Sequence, residues 1–375
     1  MRDIKNISKV GLAAAAMAFS MMLIVPVQAK AATVTITHNP ESKPGGEDEY
    51  ADTNNIKEAL KRGDSVKLKA GDEFYLKGPI DAIDGTSIDA TGATILCKKS
   101  AVHNSDDSKS ISNFSINGGT WLRASNFELD GSSFRFHYGD NLKFTNMTIK
   151  MANMENHSIE LVACKNVIID GCVIEGQGTG GKKSVEEQIQ IDVATPRTAP
   201  FLKGKNAGLL DGTCCENITI NNCKVIGCRA VCANYDKSNK KFKSKYHKNI
   251  KVTNCELTGE TAEGLMIFNT KGITVKHNKL ISNAPKSRKY FSPGLHIQVY
   301  GNGKGGFDKG KVKVTNNTIK GGICGAFISA NTSKTKFGKV TFKGNKVYTK
   351  GEKDSAYHID SYKKLTDKGN KKKEW

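Results

Sequence analysis

A nine-residue pattern returns seven times along the chain and limits the fold more than any other feature. Aligned on an asparagine or its equivalent, the copies read "NLKFTNMTI" at 141, "NVIIDGCVI" at 166, "NITINNCKV" at 217, "NIKVTNCEL" at 249, "GITVKHNKL" at 272, "KVKVTNNTI" at 311 and "KVTFKGNKV" at 339. Successive copies stand 25, 51, 32, 23, 39 and 28 residues apart, so the unit is fixed at its centre and variable at its ends. A solenoid has this property, because insertions fall in loops while the stacked core keeps its register. Each copy alternates apolar and polar residues, is rich in Val, Ile and Thr, and is bounded by Asn and Gly, which makes it a strand. A second short strand precedes most copies, as in "SIELV", "IQIDV", "LMIFN" and "LHIQVY". So little chain between strands leaves no room for crossover helices. The expected fold is therefore all-β, a parallel β-helix whose coils stack about 5 Å apart.

The same alignment accounts for the cysteines. Six residues after the alignment point stand Met147, Cys172, Cys223, Cys255, Asn278, Asn317 and Asn345, a single column of thiols followed by amides. Cys164 and Cys215 share a second column. Stacked inward asparagines hydrogen-bond along a ladder, and a thiol in the same place is a small buried apolar group. Ten cysteines in an exported chain would ordinarily signal disulfides. Their column membership predicts buried structural thiols instead, and no metal site made of thiols.

Four segments follow. Residues 1–31 read as a signal peptide, with Arg2, Lys5 and Lys9 ahead of an apolar run from Val10 to Val25, then Pro26 and the small-residue site Ala29-Lys30-Ala31. The mature chain is expected outside the cell, without a membrane anchor. Residues 32–80 hold a short capping helix in "DTNNIKEALKRGD", with Ile56, Ala59 and Leu60 on one face and Gly63 as its stop, and then a first strand. Residues 81–362 are the β-helix, and residues 363–375, "KKLTDKGNKKKEW", are expected to be a basic disordered tail. The net charge of +20 favours polyanions. For an exported chain these are acidic polysaccharides rather than nucleic acid, and a monomer is expected.

The "DTNNIKEAL" helix, "TSIDATGATILC" and "INGGTW" resemble the opening of the pectate lyase-like right-handed β-helix superfamily, which implies a right-handed coil and an action on polysaccharides. The polygalacturonase motifs Asn-Thr-Asp-Gly, Gly-His-Gly and Arg-Ile-Lys do not occur, so the resemblance reaches the wider superfamily only.

Residues between the inward apolar positions of the short strands point outward. Matching "IEL" to "IDV" puts Glu160 and Asp192 in one exterior column on adjacent coils, followed by Asn234, Phe268, Gln298, Ser329 and Asp360. A neighbouring row holds Ser158, Gln190, Cys232, Met266, His296 and His358. Long connections on both sides of "EQIQID" are expected to wall a cleft, since long ordered loops are usually functional. Glu160 and Asp192 are the candidate catalytic pair, because adjacent carboxylates push their pKa values apart and leave one as a proton donor. Arg135, His137, His157, Gln190, Arg197, His296 and Gln298 are the candidate substrate-binding residues. Glycoside hydrolysis by a carboxylate pair, without cofactor or metal, is the leading expectation. A lyase is the alternative; calcium held by Glu160, Asp192 and Glu187 would then assist. The third possibility is a surface protein that binds glycans without turnover.

Overall fold

The repeated asparagines stand where the chain turns. In the computed structural model, which describes residues 32–375 apart from 105–109, 129–130, 205, 237–244, 285–292, 301–306 and 332–334, the alignment-point residues Asn141, Asn166, Asn217 and Asn249 all have φ between +53° and +58°. That left-handed region is costly for most side chains and tolerable for Asn and Gly. Gly272 takes the next place in the column at +80°. Five residues further on, Asn146, Gly171, Asn222, Asn254, His277, Asn316 and Gly344 form a second left-handed corner. The pattern is thus a strand held between two corners. The corner side chains also bond from coil to coil: Asn217 Nδ2 donates to Asn166 Oδ1 at 2.8 Å, and Asn249 Nδ2 to Asn217 Oδ1 at 2.9 Å.

Stacking these units builds three long sheets in which every described pairing is parallel. The first contains the repeat strands, among them Lys165–Asp170, Glu216–Asn221, His247–Thr253, Thr270–Lys276, Lys311–Thr315 and Phe337–Lys343. The second contains the short strands after the second corner, such as Val173–Glu175 and Lys224–Gly227. The third contains Phe134–His137, Ile159–Val162, Glu187–Asp192, Arg229–Ala233, Leu265–Phe268, Leu295–Val299 and Ala326–Ala330. The result is a right-handed parallel β-helix with one continuous apolar core.

Inside one corner of the helix runs the expected amide column, and each step is doubly bonded. Asn317 Oδ1 accepts from the backbone N–H and from Nδ2 of Asn278, at 2.9 and 3.0 Å, and Asn345 does the same for Asn317 at 3.0 Å each. The spare amide hydrogens go to the carbonyls of Val252 and Val275. Upstream, Cys255 donates its backbone N–H to Asn278 Oδ1 at 2.8 Å, joining the thiol stretch of the column to the amide stretch. All ten cysteines are free thiols and nine are buried, and burial pushes Cys164 and Cys324 up to about 12. They are structural groups, as their columns implied. Trp121 is also part of the core, edge-on to Phe134 with Nε1 donating to the Gly118 carbonyl.

The capping helix spans Ala51–Lys61 and buries Ile56, Ala59 and Leu60 against the first strands. Its fully buried Asp52 accepts from the backbone N–H groups of Asn39 and Tyr75, at 2.8 and 2.9 Å, and bonds His38 Nδ1 at 2.7 Å. Both ends of the helix lie further out than the sequence implied. Strand Thr33–Ile36 already pairs with Ser65–Leu68 in the first sheet, so stacking starts well before residue 81. Residues 363–375 are not a disordered tail. Tyr362–Lys368 and Lys371–Glu374 are the last rungs of two sheets, and Asn370 extends the amide column by accepting from Asn345 N at 2.8 Å. Their lysines suggested disorder by composition, yet most of them occupy the outward positions of ordinary rungs.

The signal-peptide reading of residues 1–31 lies outside the described residues. Among the described residues no helix is long and apolar enough to cross a membrane.

Candidate functional site

The register of the third sheet decides what its outer face can do. Glu160 pairs with Arg135 on one side and with Gln190 on the other, and the row continues through Cys232, Met266, His296, Phe327 and His358. Asp192 stands one row over, opposite Val162. The expected stacking of Glu160 on Asp192 is therefore wrong by two residues. A slip of two keeps every inward residue inward, so alternation within "IQIDV" fits either frame equally well.

Asp192 is also fully buried. The connection after it folds back over the sheet as a small second core, in which Ala194, Ala199 and Leu202 pack on Val162 and Ala163, with Tyr138 and Phe201 against them. Among the described residues, neither carboxylate oxygen of Asp192 meets a hydrogen-bond donor in good geometry. Burial, reinforced by repulsion from Glu160 and Glu187 and only partly offset by the Asn234 amide, holds its pKa well above the usual carboxylate range. Its side chain lies beneath the site rather than in it. His137 is buried as well, its ring 5.8 Å from that of Phe201.

Beside this covered patch opens a cavity of about 650 Å³. Its floor is the outer face of the third sheet, with Arg135, Glu160, Gln190 and Asn234, and one wall is Val185, Glu186 and Glu187. The opposite wall is Arg197, Thr198, Pro200 and Phe201, so the two long connections flanking "EQIQID" do enclose a site. Of the residues expected to form it, Glu160, Arg135, His157, Gln190 and Arg197 line this one cavity. Lys182, Lys183 and Lys203 are exposed elsewhere on these loops, and Lys205 lies outside the described residues.

Each polar group in the cavity has a distinct setting. Glu160 accepts a short hydrogen bond from Ser132 Oγ. The Arg135 guanidinium lies over the Phe201 ring, 4.2 Å from its centroid, which fixes a flexible cation by stacking. Arg197 is half-exposed and 3.8 Å from the buried Asp236. His157 Nδ1 sits 2.6 Å from the Glu187 carbonyl, so it donates there and leaves the Nε2 lone pair available in the neutral ring. Glu186 has its pKa raised, first by burial and then by repulsion from Glu187. Glu187 is engaged: Asn234 Nδ2 donates to it at 2.6 Å and Arg229 faces it at 3.4 Å. Asn234 is in turn braced by His247, whose Nε2 donates to the Asn234 carbonyl at 2.8 Å.

Behind the floor, a buried chain of charges continues along the sheet. Arg229 reaches Glu263 at 2.8 Å, and Glu263 bonds His296 Nδ1 at 3.0 Å. Burial opposes the charge on Glu263, but the Arg229 guanidinium and the His296 ring outweigh it and hold the carboxyl at about 2. His296 Nε2 then faces Gln298 Oε1 at 3.0 Å. His296 and Gln298 do not line the cavity; they anchor the network that sets the orientation of Arg229 and Glu187. The sequence reading missed Ser132, Glu186, Arg229 and Glu263 as part of the site. The available signal was a charge inside an apolar strand, as in "RAVCA".

The donor atoms of His157, Glu186 and Glu187 lie within 4.8 Å of one another. Calcium takes six to eight oxygen ligands, whereas this group offers one nitrogen and two carboxylates, one of them already paired with Arg229. The set does not fit calcium. Nor do Glu160 and Asp192 supply the cage, since Asp192 does not reach the cavity.

Similar architecture occurs in solved structures. The surface adhesin PfbA of Streptococcus pneumoniae superposes with a TM-score of 0.58 at 15% identity, over 86% of this chain and 87% of that one. A polygalacturonase from Erwinia carotovora superposes with a TM-score of 0.54 at 13% identity, over 92% of this chain and 95% of that one. At these identities the likeness is one of fold, the right-handed parallel β-helix. No family model matches the sequence, and no curated protein matches it.

Proposed function

We propose that the chain is a secreted, carbohydrate-active β-helix protein that binds an acidic, uronate-type polysaccharide in the third-sheet cavity and hydrolyses its glycosidic bonds. The observation that carries this reading is the assembly in one cavity of the Arg135 and Arg197 guanidiniums with the carboxyl groups of Glu160 and Glu186. Arg135 and Arg197 suit the carboxylates of the polymer, because a guanidinium fork matches a carboxylate in charge and geometry. Glu186, whose pKa is raised by partial desolvation and by the neighbouring Glu187 and which stays open to solvent, is the proton donor to the leaving oxygen. Glu160, oriented by Ser132, is the second carboxylate that hydrolysis requires. Asp192 is a positioning group below the floor, its pKa raised by burial, without contact to substrate.

A second reading rests on His157. With Nδ1–H committed to the Glu187 carbonyl, Nε2 is set to remove the proton beside a uronate carboxylate that Arg135 or Arg197 neutralises, which is the first step of β-elimination. The two reactions leave different products. Incubating the purified chain with polygalacturonate, alginate and other acidic polysaccharides, and scoring reducing ends and ultraviolet absorbance together, tests both. Hydrolysis gives reducing ends without absorbance; a matching rise in absorbance transfers the assignment to the lyase reading. Binding without either signal on any acidic polymer overturns the enzymatic proposal.

A further inference from the structure

The first sheet carries a second feature that the cavity does not use. On its outer face, strands Lys311–Thr315, Phe337–Lys343 and Tyr362–Lys368 set lysines directly opposite one another: Lys311 pairs with Lys339, Lys339 with Lys364, and Lys343 with Lys368. With Lys313, these are six exposed lysines, none ion-paired with a described acid. Strands Thr270–Lys276, Lys311–Thr315 and Phe337–Lys343 contain no acidic residue at all. Neighbouring rungs are about 4.8 Å apart, and like charges opposite each other on a ladder are destabilising.

Edge protection explains only part of this. Tyr362–Lys368 is the last rung of its sheet, and lysines there keep an open edge from pairing with another chain. Lys311–Thr315 and Phe337–Lys343 are interior strands, paired on both sides, and have no edge to protect. Elsewhere on the helix, stacked lysines have acids beside them: Lys150 and Lys224 both meet Glu175, Lys248 meets Glu216 and Lys279 meets Glu256. The second sheet holds one further pair of this kind, Lys346 opposite Lys371 on its last rung; the larger repulsion gathered on the first sheet is relieved when a polyanion lies on it.

We propose that this face is a binding surface for a linear anionic polysaccharide, separate from the third-sheet cavity. Its rows run straight from rung to rung, so they match a polymer whose charges recur at regular intervals. Threonines interleave with the lysines, Thr274 and Thr341 flanking Lys313 in one row, and offer hydroxyls to the same polymer. No large apolar side chain is exposed on these strands, which leaves nothing to anchor the face in a lipid bilayer. The inference does not depend on the cavity being catalytic.

The test compares two four-lysine variants of the full chain, using fluorescent dextran sulfate as the probe. One carries Lys311→Gln, Lys313→Gln, Lys339→Gln and Lys343→Gln. The other carries Lys57→Gln, Lys150→Gln, Lys224→Gln and Lys279→Gln, each removed from beside an acid and with the same change in net charge. At physiological ionic strength the first is expected to bind on the order of tenfold more weakly or worse, with the salt dependence shallower by about one for each contacting lysine lost. The second keeps most of its affinity. Melting curves establish that every variant is folded. Equal weakening of the two variants overturns the proposal. So does binding to phosphatidylserine vesicles that needs the grid lysines while dextran sulfate binding does not.

Discussion

The amide corner inside the β-helix and the patch beside the cavity on its outer wall both bury polar side chains, but their hydrogen bonding is settled in opposite ways. In the corner, Asn278, Asn317 and Asn345 satisfy one another and the nearby carbonyls, leaving no amide atom unpaired. Beside the cavity, Asp192 is buried with neither oxygen meeting a donor in good geometry among the described residues, and Glu160, Glu186 and Glu187 crowd around it. A fully bonded column rigidifies the coil and does nothing else. A carboxyl whose pKa is driven up by burial and by like-charged neighbours costs stability, and such costs concentrate at working sites.

The comparison can be broken at either end. Asn317→Ala removes the acceptor of two Asn278 donors and the donor to Val275 and Asn345, and it opens a void. A loss of about 2–4 kcal/mol in urea unfolding is expected, with activity per folded molecule unchanged. A loss below about 0.5 kcal/mol, within the range of ordinary surface changes, would show that the column is not structural.

Asp192→Asn acts the other way and more gently. Because the folded pKa of Asp192 is raised, the folded state holds a proton that the unfolded chain gives up near pH 4. Its contribution to stability is thus complete below that pH and is lost as pH rises toward the folded value. Asp192→Asn should flatten this decline, by on the order of 1 kcal/mol for each pH unit of the window it removes. Parallel stability curves for the two proteins between pH 4 and 8 would mean that Asp192 is not held protonated.

Much of the fold could be read from the chain because the repeat records backbone handedness and core columns together. Asparagine and glycine mark the left-handed corners, and cysteine and asparagine mark the inner column; neither depends on loops. The tail was misread because its lysines were weighed as composition, although Leu365 and Asn370 stand in the repeat's own inner columns. The site was legible in part. Glu160, Arg135, His157, Gln190 and Arg197 came together because outward residues near long connections are where a β-helix places a groove. The partner of Glu160 was not, since the period-two pattern is blind to a two-residue slip. The burial of Asp192 depends on how Ala194, Ala199 and Leu202 fold back on the sheet, which no local pattern encodes.

The most direct test of the account is the digestion of an acidic polysaccharide by the native chain and by Glu160→Gln, with reducing ends measured at equal concentrations of folded protein. The account predicts turnover by the native chain and a fall of about a hundredfold or more in the variant, whose melting temperature stays near native. Equal rates from the two proteins would contradict it.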